Sequence, residues 1–132
     1  VNLFIDKNAE ITVILYVYKN EENKIISWTK NNTKNKPENI NENDCESFSV
    51  VFRVPNYKDS TELIDSGIQL SSDGSMRISS GSASFGKFSK LLKSWDLKDE
   101  KGENIPAIPE NVAILEPSIG KSIIADLENQ LS

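Results

Sequence analysis

"EITVILYVY", Glu10–Tyr18, is the stretch whose reading decides the fold. β-branched and aromatic residues fill both of its alternating faces, so the strand is either covered on both sides or pairs with a neighbouring chain. "KNEENK", 19–24, reads as a turn, and "IISWT", 25–29, as the return strand of a hairpin. Trp28 is large enough to anchor that hairpin, and a core aromatic is the simpler account of it than a ligand platform. Of this region, Ile14, Tyr16, Tyr18 and Trp28 are the residues we expect to meet a partner.

Residues 30–46 interrupt the pattern. Eight of the fourteen asparagines lie between Asn20 and Asn43, and few apolar groups accompany them. Such a segment cannot offset the entropy of ordering, so 30–46 is expected to be a long loop, mobile when free. "SFSVVFRVP", 47–55, is a second strand, stopped by Pro55. "NYKDSTELIDSG" then starts a helix, with Asp59 as its cap, Glu62 as the reciprocal capping partner and Gly67 as its close. Leu63, Ile64 and Ile68 are expected to face inward.

"SSDGS", 71–75, reads as a turn. A second helix is expected from about Ser82 to Trp95, with Phe85, Phe88, Leu92 and Trp95 as its apolar stripe. "LKDEKGEN" follows as a turn around Gly102. Pro109 is placed to start a short helix and Pro117 the last one, on which Ile119, Ile123, Ile124, Leu127 and Leu131 share a face. Burying that face contributes about 1.5–3 kcal/mol per side chain. Strands first and helices later argue an α+β fold: a small antiparallel sheet, made of the hairpin plus the strand near 47–54, packed with three to four short helices. One domain accommodates all 132 residues: a hairpin region over 1–29, the Asn-rich loop over 30–46, and a strand followed by a helical region over 47–132.

Charge and composition restrict the chemistry. Net charge is −5, from 20 acidic and 15 basic residues, and thirteen of the bases are lysine. An acidic chain is poorly suited to gripping phosphates without sequence preference. Arg77, Lys87, Lys90 and Lys93 nevertheless lie in a stretch, Gly74–Trp95, that has no acid and has aromatics among its lysines. That stretch is the alternative, nucleic-acid-contacting site. There is no histidine, which removes the commonest general base and metal ligand at neutral pH. The single cysteine, Cys45, can form neither an internal disulfide nor a cysteine-based zinc site. No enzyme, cofactor or metal is expected. The opening "VNLFIDKNAE" is too short and too charged for a signal peptide, and no apolar run approaches the ~18 residues of a membrane span. We expect a soluble chain, intracellular when made, with no membrane partner.

Two motifs approach known ligand signatures and miss. "GSASFGKFS", Gly81–Ser89, matches the phosphate-binding loop except that Phe88 stands where a hydroxyl must hold magnesium. Counting from Gly102 as the sixth residue of a calcium loop puts Leu97 first and Lys101 fifth, so two ligand positions fail.

"FSVVFRVPNYKDS" (48–60) and "LLKSWDLKDEKGENIPAIPENVAILEPSIGKSIIADLENQL" (91–131) together resemble small tail-region proteins of tailed bacteriophages. These include tail assembly chaperones and minor virion components. Phe52–Pro55, Trp95 and Leu97 with the Asp99–Gly102 turn, Ile105-Pro106, Glu110-Asn111 and Pro117 before the last amphipathic helix carry the resemblance. It implies a structural or assembly role through protein–protein contact, in the virion or in the host cytoplasm during assembly. The partners it implies are other phage structural proteins, tail or capsid–tail components, with self-association a further expectation. It implies no catalytic residue.

Overall fold

The computed structural model describes the backbone of residues 1–70, 76–78 and 80–132 and the side chains of residues 1–63 and 84–132. The elements run β1 (Glu10–Lys19), β2 (Ile25–Thr29), β3 (Glu46–Arg53), α1 (Tyr57–Gly67), β4 (Ile68–Leu70), β5 (Met76–Ile78), α2 (Ser80–Leu91), β6 (Leu92–Trp95), α3 (Pro109–Ala113) and α4 (Pro117–Leu131). The fold is α+β. Its main sheet is antiparallel throughout, in the order β2-β1-β3-β6, and β4 and β5 form a separate two-stranded ribbon. No helix among the described residues is long and apolar enough to cross a membrane.

The hairpin forms where the sequence places it. Asn20 Oδ1 accepts hydrogen bonds from the N–H groups of Glu22 and Lys24, both at 2.9 Å, and Asn23 takes φ 64° in the turn. Asparagine tolerates that left-handed conformation better than most residues. β1 is a central strand, bonded along one edge to β2 and along the other to β3. Strand pairing with a neighbouring chain is therefore closed off over Leu15–Val17, where β1 has β2 on one edge and β3 on the other, while β2 does not extend to residues 10–14.

Alternation along β1 then separates two faces. Val13 and Leu15 point into the core with Val50 and Phe52 of β3, under Phe88 and Leu91 of α2 and Ile123 and Leu127 of α4. Phe88 meets Phe52 edge-to-face at a centroid distance of 5.2 Å and Trp95 at 6.4 Å. Such pairs add about 0.5–1.5 kcal/mol each beyond area burial.

Three expectations need correction. The second helix ends at Leu91, and Leu92–Trp95 is a strand that pairs with β3. The pairing shifts between Val51 and Phe52, so Phe52 faces Leu92 while Val50 faces Trp95. That bulge puts residues three apart on one face of a strand, which reads as helical spacing in the sequence. The first helix starts earlier than expected. Asn56 Oδ1 accepts from Asp59 N–H at 2.9 Å and Asp59 Oδ2 accepts from Asn56 N–H at 3.1 Å, the reciprocal pattern of a capping box moved three residues upstream. Glu62, expected as the reciprocal cap, instead pairs with Lys90 of α2.

The Asn-rich connection is built from turns. Lys36 N–H donates to Thr33 O at 3.0 Å, Lys36 pairs with Glu42 at 3.3 Å, and Asn41 Oδ1 caps a 3-10 turn at Glu42–Asp44 by accepting from Asn43 N–H at 3.0 Å. Asparagine side chains supply the partners that a sheet or helix would otherwise provide. Leu63 packs against the core. The side chains of Ile64 and Ile68 and the turn expected at 71–75 lie outside the described residues.

Candidate interaction groove

The residues expected to meet a partner fall on the sheet face opposite the core. Tyr16 faces Trp28 across the β1–β2 ladder, and their rings stack at 6.0 Å with 22° between planes. Ile14, Tyr16 and Tyr18 are half-buried. Trp28 is 1% exposed and lines a hollow together with the loop residues Asn32 and Asn35 and with Ser118 and Ser122 of α4. Its Nε1 has no hydrogen-bond partner among the described residues. At that exposure Trp28 presents almost no surface of its own in the single chain.

The four basic residues come from three elements. Lys87 and Lys90 lie on α2, Lys93 on β6, and Arg77 is on β5 with its side chain outside the described residues. Lys90 forms an ion pair with Glu62 and Lys93 with Glu10, so two of the cations meet carboxylates of their own chain. The near phosphate loop is helical: Gly81–Lys87 lies within α2 and is not a loop between a strand and a helix. In the Asp99–Gly102 turn, Asp99 Oδ1 accepts from the N–H groups of Lys101 at 2.8 Å and Glu103 at 3.0 Å, and Gly102 takes φ 80°. The carboxylate that could have faced calcium is closing its own turn.

A surface that sequence reading missed lies among α2, α3 and α4. α3 begins on Pro109 and is held by Asn111 Nδ2 donating to Pro106 O at 2.7 Å. α4 begins on Pro117, capped by Glu116, whose carboxylate accepts from Ser118 N–H at 3.1 Å and from its hydroxyl. The Ser118 hydroxyl and the helix N–H groups hold the Glu116 carboxyl below its ordinary range. These two prolines turn the chain twice within a few residues and leave a groove of about 470 Å³. Phe85 and Phe88 of α2, Val112 of α3, Leu115, and Gly120 and Ile124 of α4 line it.

The floor is buried, with Phe88 3% and Val112 7% exposed, but its margin is not. Of the lining residues Phe85 is 45% exposed, and Ile108 and Ile114, which flank α3 in the chain, are 44% and 78% exposed. Isolated apolar residues on a surface need no explanation, whereas a cluster rimming an apolar groove marks a contact site. Among the described residues lining the groove, Lys121 alone is charged. The lining is mostly apolar, with Ser84 and Lys121 as its polar side chains. The one signal in the sequence was Phe85, assigned above to the core because it shares the stripe of Phe88.

Comparison of the chain with protein-family models, with curated proteins and with solved structures finds no match.

Proposed function

We propose that the chain is a non-enzymatic structural or assembly protein of a tailed bacteriophage, working by protein–protein contact through the α2–α3–α4 groove. The observation that carries the reading is Phe85, 45% exposed on a groove with an apolar floor, together with exposed Ile108 and Ile114, which flank α3 next to the lining residues Val112, Ala113 and Leu115 in the chain. Covering it would remove apolar surface from water at about 25 cal/mol per Å². The phage assignment draws on the resemblance of residues 48–60 and 91–131, and the second of those segments builds α3 and α4. The reading places the protein in the virion or in the host cytoplasm during assembly, with tail or capsid–tail components as partners.

The test is a photo-reactive phenylalanine derivative installed at Ile114, between the groove-lining residues Ala113 and Leu115, irradiated in lysate of infected cells, with crosslinked chains identified by mass spectrometry. The same derivative at Tyr57, which is 89% exposed and does not line the groove, is the control. The expected result is a phage structural protein captured from position 114 and not from position 57. Capture of no virion protein, or equal capture from both positions, would refute the reading.

A further inference from the structure

We infer that the groove receives the Leu3–Ile5 segment of a second copy of this chain, an inference that rests on reading the groove as a protein-contact surface. Leu3 is 84% exposed, Phe4 83% and Ile5 51%, three consecutive large apolar side chains with no cover. Local hydrogen bonds hold this arm in shape. Phe4 N–H donates to Asn2 Oδ1 at 3.1 Å, Asn8 N–H to Asp6 Oδ1 at 2.8 Å, and Ala9 N–H to Asp6 O at 3.0 Å. Ala9 O accepts from Val54 N–H at 3.3 Å, which ties the root of the arm to the end of the sheet where β1 begins.

The arm cannot reach the α4 end of its own groove. Ser122 of α4 sits 2.9 Å from Ser27, hydroxyl to hydroxyl, and Ser27 pairs with Val17. From Ala9 to Val17 along β1 is about 26 Å at ~3.3 Å per residue. Leu3, six residues before Ala9, spans at most about 21 Å when fully extended, and the Asp6–Ala9 turn shortens that further. Gly120 and Lys121 therefore lie beyond the arm of the same chain and within reach of another copy's.

The groove carries the mark of a missing neighbour at Gly120. This glycine lies inside α4, does not take a positive φ, and has nothing within 4 Å of the place a Cβ would occupy. A helical glycine is unfavourable relative to alanine, and no close approach within the single chain calls for one. A segment lying against α4 would use the open space. Asp6 directly follows Ile5 in the arm, and Lys121 is the charge that lines the groove, so a seated arm brings opposite charges together.

Arm and groove are different patches, so their contact is head-to-tail and generates rings or chains rather than a closed two-fold dimer. Sedimentation velocity over a concentration series tests this on three proteins. Wild type is expected to form species larger than dimers. Phe4→Ser, at an exposed position, and Gly120→Leu, which fills the groove from open space, are each expected to weaken self-association by about 10-fold or more. An equimolar mixture of the two variants retains one intact groove and one intact arm, and is expected to give 1:1 dimers and nothing larger.

Wild type that stays monomeric, either variant associating like wild type, or a mixture that stays monomeric would overturn the inference. If it fails in any of these ways while position 114 still crosslinks to a phage structural protein, the contact reading survives with a different occupant. Association as described without viral capture leaves the self-contact standing and removes the phage reading.

Discussion

Replacing Asp59 with asparagine keeps the side chain's shape and removes its charge, which isolates what the Arg53–Asp59 pair contributes. Asp59 is 6% exposed and accepts from both terminal nitrogens of the Arg53 guanidinium, one of them at 3.0 Å, and from Asn56 N–H at 3.1 Å. The Arg53 side chain is 37% exposed, so the pair is half-screened and belongs at the lower end of the range for charge-assisted bonds, about 1.5–3 kcal/mol. The Arg53 hydrogen bond is the largest cause of a carboxyl pKa lowered from 3.8 to about 2. Because the folded value lies below the unfolded one, the contribution is fully present above about pH 4 and is lost as pH falls through about 2. At about 1.4 kcal/mol per pH unit this is roughly 2.5 kcal/mol, or roughly 2 kcal/mol once discounted for the half-exposed arginine, in line with the hydrogen-bond figure. Urea unfolding followed by tryptophan fluorescence should show Asp59→Asn less stable than wild type by about 2 kcal/mol at neutral pH, with the gap halved near pH 3. A gap below about 0.5 kcal/mol at neutral pH, or one that stays constant down to pH 3, would refute the reasoning.

Asp126 should behave in the opposite sense. It is 0% exposed, Gln130 Nε2 donates to its Oδ2 at 3.3 Å, Oδ1 has no well-aligned partner among the described residues, and burial pushes its pKa up. A raised folded value means a cost present above it and relieved as the group protonates, so Asp126→Asn should be more stable than wild type at neutral pH and lose that advantage on acidification, read by thermal unfolding. Phe88→Ala removes the ring that joins Phe52 to Trp95 and should cost about 3–5 kcal/mol in the same urea assay. Gly120→Ala adds a methyl group in open space and should stabilise by about 0.5–1 kcal/mol.

The sheet was legible because its signals are local. Residues 10–18 and 47–54 are dense in β-branched and aromatic types, Pro55 ends one of them, and the helices at Pro109 and Pro117 start where proline's fixed φ favours a first turn. What misled was spacing altered by long-range pairing. Leu92 and Trp95 lie three apart, as on a helix, but share a strand face because the bulge opposite Val51 and Phe52 takes up one residue. The β4–β5 ribbon was missed because its strands have three residues each, too few to show a period.

The candidate site was harder to read than the fold. Trp28 drew attention by size, yet its stacking on Tyr16 and its burial are set by chain crossings that no local pattern reports. Lys90 and Lys93 form a basic cluster in sequence, while their partners Glu62 and Glu10 come from distant segments. The groove joins residues from 84 to 124. Among its lining residues Phe85, 45% exposed, departs from what burial of an amphipathic stripe would give.

The most direct measurement asks whether the groove is covered when the protein is at work. Cys45 is the chain's only cysteine, and burial with neighbouring Asp44 pushes its thiol pKa up, so Cys45→Ser gives a thiol-free background at little cost. Ile114→Cys in that background places a reporter at a position 78% exposed. Maleimide labelling of this reporter should be fast in the dilute free chain and slowed by about 10-fold or more in the assembled state, with a Tyr57→Cys reporter unchanged between the two. Equal labelling of position 114 in both states would contradict the claim that this groove is the protein's working surface.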